Sequence, residues 1–232
     1  MSLATRDTRL TELMDDPACN PVRLRRTLDR FRIVNRLVAG WDAVYRTHLR
    51  PALRAAGGPA RILDIGCGGG DVLRRIVHLA RRDGFAVAGL GIDPDARAIR
   101  AAQAAAEMPG VSYRHTDSSR LASEGRRFDV VISNHLLHHL TADARADMLA
   151  ASERLATRLV VHADIARSRA AYAAYAVVIT PLAPGSLLRT DGLRSIRRSY
   201  TPAELAAVLP DGWTAERARP FRVLAIHRPG TP

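Results

Sequence analysis

Two runs in this 232-residue chain carry residue types at spacings suited to chemistry. The first is Leu63-Asp64-Ile65-Gly66-Cys67-Gly68-Gly69-Gly70-Asp71, an acid and a glycine loop followed by a second acid. The second is Ser133-Asn134-His135-Leu136-Leu137-His138-His139-Leu140, which gathers three histidines. Glycines permit a tight turn and let a ligand approach the backbone closely. A glycine turn of this kind can hold a pyrophosphate on a helix N-terminus. Here such a group would sit against Asp64 and Asp71, and like charges repel strongly in a poorly solvated cleft. No Gly-Lys-Ser/Thr ending is present, so the run is not a P-loop. A cationic, nucleoside-bearing ligand suits the acids better, and S-adenosylmethionine (SAM) carries both a sulfonium and an ammonium.

The elements that must position these residues alternate strand and helix. Arg61-Ile62-Leu63 reads as the end of a buried strand, and Val72 to Ala80 has helical apolar spacing. A second strand, Ala86 to Ile92, ends at Asp93-Pro94-Asp95, an acid about 20 residues beyond the loop that can take ribose hydroxyls. After a helix from about Ala96 to Glu107, Val111 to His115 is a third strand, ending at Thr116-Asp117-Ser118. The fourth, Phe128 to Ile132, runs into the histidines. Thr141 is the expected N-cap of a helix to Ala156, Arg158 to Ile165 a fifth strand, Thr201-Pro202 a capped helix start, and Trp213 to Arg219 with Phe221 to His227 a terminal hairpin. Polar residues thus gather at the carboxyl ends of the strands, where open α/β sheets bind ligands.

These motifs resemble those of the class I SAM-dependent methyltransferases over roughly Ala60 to His227. The resemblance implies an α/β, Rossmann-like sheet of seven mostly parallel strands with a reversed terminal strand, plus an N-terminal helical cap. It places Asp64, Gly66, Cys67 and Gly68 along the methionine moiety, Asp93 and Pro94 at the ribose, Asp117 and Ser118 at the adenine, and Asn134 on the methyl-donor side. The alternative for Asp64 is a helix cap. Residues 1–58 are expected to form the lid and 59–232 the SAM domain, with an acceptor-recognition insertion at about 166–201. By the same resemblance Asn35, Trp41 and Tyr45 face the acceptor, against the plainer reading of Trp41 and Tyr45 as core aromatics. His135 and Arg197 are further expected acceptor contacts.

A phenol, with a pKa near that of tyrosine at about 10, must lose its proton at neutral pH, and histidine is the natural base. His138 and His139 are the expected catalytic residues, with structural histidines as the alternative. His135 and His139 have helical metal-ligand spacing, but no third ligand accompanies them in sequence, so no metal is expected. Ser133-Asn134-His135-Leu136 lacks the proline pair of amino-methylating DNA enzymes and the glutamate pair of protein-arginine enzymes. A small aromatic acceptor with an apolar part remains. More narrowly, the chain resembles bacterial methyltransferases encoded beside type III polyketide synthases, carried by Glu12 to Pro17, Asn134 to Leu140, Asp164 to Arg169, and Asp191-Gly192 with Ser195 to Tyr200. That implies O-methylation of a phenolic or pyrone polyketide in secondary metabolism, with Tyr172 to Leu188 suited to an alkyl tail. Quinone-biosynthesis methyltransferases share the core motifs and are the main alternative. A non-catalytic SAM-binding regulator and a nucleic-acid methyltransferase are alternatives of other classes.

Composition bounds the rest. At 47% hydrophobic, 232 residues make one substantial core. All 35 basic residues are arginine, giving a net charge of +12. The arginine pairs are scattered, as on solvated helix faces, so no nucleic-acid track is expected. The early charges of Met1 to Asp7 do not fit a secretory signal, and Cys19 and Cys67 form no metal pair, so a cytoplasmic location is expected. Pro181, Pro184 and Gly185 break the uncharged stretch from Ala170, so no membrane span is expected. A homodimer is compatible with the sequence.

Overall fold

The computed structural model describes residues 3–38 and 40–230, with the side chains of 31, 32 and 34–38 outside the description. Seven strands form one sheet in the order β3-β2-β1-β4-β5-β7-β6. They are β1 (Ala60–Ile65), β2 (Val87–Asp93), β3 (Val111–His115), β4 (Phe128–Asn134), β5 (Ala156–Ile165), β6 (Trp213–Ala218) and β7 (Arg222–His227). The helices are α1 (Pro21–Val38), α2 (Trp41–Val44), α3 (Arg50–Ala56), α4 (Asp71–Arg82), α5 (Ala96–Ala104), α6 (Ser118–Ser123), α7 (Ala142–Leu155), α8 (Arg169–Val178), α9 (Leu188–Arg198) and α10 (Pro202–Ala206). A wider turn, Tyr45–Leu49, joins α2 to α3.

The first five strands pair in parallel, while β7 runs antiparallel to both β5 and β6. This is the expected mostly parallel sheet with its reversed end. Buried on both faces, the central strands are almost continuously apolar, as parallel sheets require: Ile62, Leu63, Val130, Val131, Ile132, Val160 and Val161 are all inaccessible to solvent. Their alternate side chains feed two cores. Ile62, Val130, Ile132 and Val161 meet Leu73, Ile76 and Val77 of α4 on one side. Leu63, Val131 and Val160 meet Leu149 and Leu155 of α7 on the other.

The order reverses between β1 and β4, where successive helices leave on opposite faces and a crevice opens at the carboxyl ends of the strands. The cap chemistry read from the sequence is present: Thr141 Oγ1 accepts from the Ala144 amide at 3.2 Å, and Thr201 forms a capping box with Glu204. The helix after β2 is shorter than expected, ending at Ala104 before an extended stretch.

The chain before β1 lies over the crevice. Asp191 of α9 accepts from the Leu13 and Met14 amides at 2.8 and 3.0 Å. Arg30 of α1 donates to the Leu182 and Pro184 carbonyls at 2.8 and 2.6 Å, and Thr27 accepts from the Leu187 amide at 2.8 Å. The N-terminal segment and residues 180–195 thus hold each other. Helix α8 stops at Val178, before the Thr180–Leu182 turn. No helix among the described residues is long and apolar enough to cross a membrane.

Candidate functional site

The glycine loop is folded back on the end of β2. The amides of Gly66 and Cys67 both donate to the Ile92 carbonyl, at 2.8 and 3.0 Å. The Gly68 amide donates to Asp93 Oδ2 at 3.0 Å, and Asp93 Oδ1 accepts from the Asp95 amide at 2.8 Å. Gly66 has φ +67°, and a Cβ there would meet Leu136 at 3.1 Å, so a side chain would be both strained and crowded. Asp64 does not cap α4, whose N-cap is Gly70. It points under the loop, 1% exposed, and neither carboxylate oxygen has a well-formed hydrogen bond. Burial, then the charges of Asp71 and Asp93, push its carboxyl well above the usual carboxylate range, with only a weak opposing pull from the Leu73 amide.

A cavity of about 480 Å³ starts at this loop, within the ~300–1,000 Å³ of small-molecule sites. Asp64, Gly66, Cys67, Gly68, Asp93, Pro94 and Asn134 all line it. Asp117 and Ser118 instead line an adjoining cavity of about 240 Å³. Gly66, Pro94, Leu136 and Leu140 border both. The nine residues expected at the cofactor are therefore gathered around two neighbouring spaces. An orphaned buried carboxylate beside a backbone-lined turn fits a ligand that carries positive charge, and SAM meets that condition.

The rest of the main cavity is lined by His135, His139, Ile165, Tyr175 and Gly192, with Glu12, Met14, Asp15, Leu24 and Leu28 from the N-terminal segment, of which Leu28 comes close to Gly69 and Met14 to the Asp95–Arg97 pair. His135 has φ +55°, unusual outside glycine. Arg222 Nη1 donates to its Nε2 at 2.7 Å, which fixes the ring proton on Nδ1. Burial, then the Arg222 charge, lowers its pKa to about 4. Arg222 is 2% exposed and also donates to Asn134 Oδ1 at 2.5 Å, and Trp41 Nε1 donates to the same oxygen at 3.1 Å. Its own pKa falls to about 10, chiefly through burial.

His138 is enclosed and does not line the cavity. Its Nδ1 lies 2.7 Å from Asp164 Oδ1 and its Nε2 3.1 Å from Glu12 Oε1. Burial opposes its charge, but Asp164 and Glu12 outweigh burial and raise its pKa to about 9. The reciprocal effect overcomes burial at Glu12, where His138 and then His139 bring the carboxyl down to about 2. A cation with both ring nitrogens committed to carboxylates has no lone pair for a proton. His139 presents its ring to the cavity, with Nδ1 3.1 Å from Asp15 Oδ2 and Nε2 3.5 Å from Glu12 Oε1.

Three expected acceptor contacts lie elsewhere. Tyr45 is 1% exposed and donates to Asp83 Oδ2 at 3.0 Å, so it is a core aromatic. Trp41 is likewise core and reaches the site only through Asn134. Arg197 pairs with Asp7 at 2.7 Å, away from both cavities. The Asn35 side chain lies outside the described residues. Glu12, Asp164, Tyr175 and Arg222 were not singled out as site residues. Arg222 has one visible signal, a charge opening a strand that is apolar from Val223 to Ile226.

Comparison with known proteins agrees with this geometry. A family described as a methyltransferase domain matches residues 62–158. The ubiquinone biosynthesis O-methyltransferase of Methylobacterium sp. (strain 4-46) is 32% identical over 194 residues, 81% of this chain and 72% of that protein. That of Roseobacter denitrificans is 40% identical over 84 residues, but the match spans only 32% of its length. Human N-acetylserotonin methyltransferase, solved with SAM, superposes with TM-score 0.61 at 12% identity, over 90% of this chain and 56% of that one. A plantazolicin methyltransferase, solved with a desmethylated plantazolicin analogue and S-adenosylhomocysteine (SAH), gives 0.58 at 13%, covering 90% and 97%. The structural likenesses carry the fold, and the long sequence match carries the family: this chain belongs to the class I SAM-dependent methyltransferases.

Proposed function

We propose that the protein O-methylates a small phenolic acceptor that has an apolar part. The observation that carries this reading is one cavity with an acid-and-glycine end and a histidine end. When bound, SAM supplies an electrophilic methyl group on a sulfonium that becomes a neutral thioether. Asp64 would balance the ligand's positive charge, Asp93 and Pro94 would hold the ribose, and Asp117 and Ser118 the adenine in the adjoining space. Asn134 would border the methyl side, held by Trp41 and Arg222. The acceptor hydroxyl would give up its proton at the Glu12–His139 end of the cavity. His139 takes this role over His138, because His138 is enclosed and paired on both ring nitrogens. Ile165, Tyr175 and Leu24, which also line the cavity, would give the acceptor an apolar wall.

We read residues 1–58 as the lid, since the chain around Glu12 to Leu28 roofs the cavity, and residues 166–201 as acceptor recognition. Water exclusion by such a roof strengthens the electrostatic contacts inside. The long match to a ubiquinone biosynthesis O-methyltransferase supports a quinone precursor as a second reading of the acceptor, beside a polyketide phenol. Incubation with isotopically labelled SAM and a panel of alkylresorcinols, pyrones and quinols, read by mass spectrometry, tests both. A labelled methyl ether on a resorcinol or pyrone favours the polyketide reading, and one on a quinol favours the quinone reading. Bound SAM with no labelled product from any acceptor would overturn both.

A further inference from the structure

Glu12 stands 126 residues before His138, yet one carboxylate oxygen and the two imidazole nitrogens of His138 and His139 lie within 4.8 Å of one another. The arrangement around them is specific. Glu12 Oε1 is 3.1 Å from His138 Nε2 and 3.5 Å from His139 Nε2, so both rings turn the same nitrogen toward one oxygen. Behind each ring stands another carboxylate on Nδ1: Asp164 at 2.7 Å from His138 and Asp15 at 3.1 Å from His139. The Ser195 hydroxyl donates to Glu12 Oε1 at 2.7 Å and fixes the carboxylate.

A carboxylate on the far nitrogen of each histidine is the arrangement that orients imidazoles for a metal ion. The two separations from Glu12 suit an ion, and the imidazole nitrogens, within 4.8 Å of each other, would close on it. Bonds of ~2.0–2.1 Å to a tetrahedral ion separate its ligands by about 3.3–3.4 Å, between the two distances from Glu12. Charge points the same way: three carboxylates surround two imidazoles, and the cation beside Asp15 is Arg198 at 3.6 Å.

We propose that Glu12, His138 and His139 bind one divalent transition-metal ion of the zinc class, with an open coordination position toward the acceptor end of the cavity. The ion replaces the proton that His138 Nε2 shares with Glu12, and that proton leaves to solvent. Two imidazoles and one carboxylate favour zinc or cobalt over magnesium, which prefers an all-oxygen shell. Three protein ligands leave the fourth position that a catalytic site needs, and Glu12 and His139 both line the cavity. A hydroxyl entering that position becomes more acidic. With the ion bound, His139 holds metal through Nε2 and no longer serves as the base proposed for the metal-free site; the acceptor proton then leaves to solvent, a role that rests on the O-methylation reading.

The test uses the full chain, stripped with a chelator, dialysed, and titrated with zinc and cobalt chlorides by calorimetry and cobalt visible absorption. One equivalent is expected to bind, with the intense absorption of tetrahedral cobalt. Glu12→Gln and His139→Ala should each weaken binding by about 10- to 100-fold, while the exposed His78→Ala should leave it unchanged. Circular dichroism checks that each variant folds; the conservative Glu12→Gln keeps the test open if a histidine variant does not. Failure of wild type to bind one equivalent, or equal binding by wild type and both folded ligand variants, would overturn the site. SAM titrated into the stripped protein should bind as before. Transfer to an alkylresorcinol should fall at least about tenfold on stripping and return with one equivalent of zinc. Undiminished transfer by the stripped protein would overturn the ion's role while leaving O-methylation intact.

Discussion

Asp64 shows how one side chain can be set against the stability of the fold for the sake of a ligand. A buried carboxylate without a hydrogen-bond partner is costly, and on the reading proposed above a cationic ligand would offset that cost. Asp64→Asn keeps the shape and removes the charge. We expect it to raise the melting temperature of the ligand-free protein slightly and to weaken SAM binding by at least about tenfold, or ~1.4 kcal/mol. Calorimetry and thermal unfolding on the same samples check the two opposite signs. His162 carries a different consequence. It is inaccessible and held between Ser133 Oγ at 2.8 Å and Ser152 Oγ at 3.1 Å, and burial alone lowers its pKa to about 3. The unfolded chain, with an ordinary histidine pKa near 6.5, therefore binds the proton first. The stability from keeping this ring neutral is fully present above about pH 6.5 and is lost as pH falls toward 3, at ~1.4 kcal/mol per unit. Urea unfolding should show stability lost from pH 7 to pH 5, a loss to which the lowered pKa of His135 also contributes, and His162→Gln should lessen it whatever its effect at pH 7.

Among the elements, α8 packs on α9 where Tyr175 and Gly192 line the cavity, the part assigned above to the acceptor by proposal. A Cβ at Gly192 would lie 2.2 Å from the Tyr175 ring, whose hydroxyl donates to the Leu188 carbonyl at 2.8 Å. Gly192→Ala must displace Tyr175 into the cavity or part the two helices, a strain of ~1–3 kcal/mol. We expect KM for the acceptor to rise about tenfold or more while SAM affinity holds, since the glycine loop lies at the other end; steady-state kinetics and SAM calorimetry separate the two. These helices also mark a boundary of what periodicity reveals. The strands and capped helices were legible because alternation, apolar runs and Thr141 or Thr201 caps are local signals. The close approach of α9 to α8 is not local, and neither is the turn of Arg197 toward Asp7 in place of the acceptor. The uncharged stretch from Ala170 was legible as interrupted, because Pro181, Pro184 and Gly185 act within their own turns.

For the whole molecule, the roof over the crevice ties its two halves together. SAM at a hundred times its dissociation constant should stabilise the native state by ~2.7 kcal/mol, or about 5–11 °C for a chain of this size. Hydrogen exchange should show the added protection at the glycine loop and across residues 12–28, and protection confined to the loop would remove the lid reading. Local signals in the chain are enough for the α/β sheet and for a glycine loop flanked by Asp64 and Asp93, because each follows from residues close in sequence with a required backbone shape. Which partners the histidines take comes from the packing of distant segments. Nothing near His138 in sequence announces that Asp164 and Glu12 will close on its two nitrogens, 26 and 126 residues away. Nor does any local signal show Arg222 crossing from the reversed strand to occupy His135. A side chain's protonation and ligand preference depend on which charges share its dry surroundings, and those neighbours are chosen by the way distant segments pack.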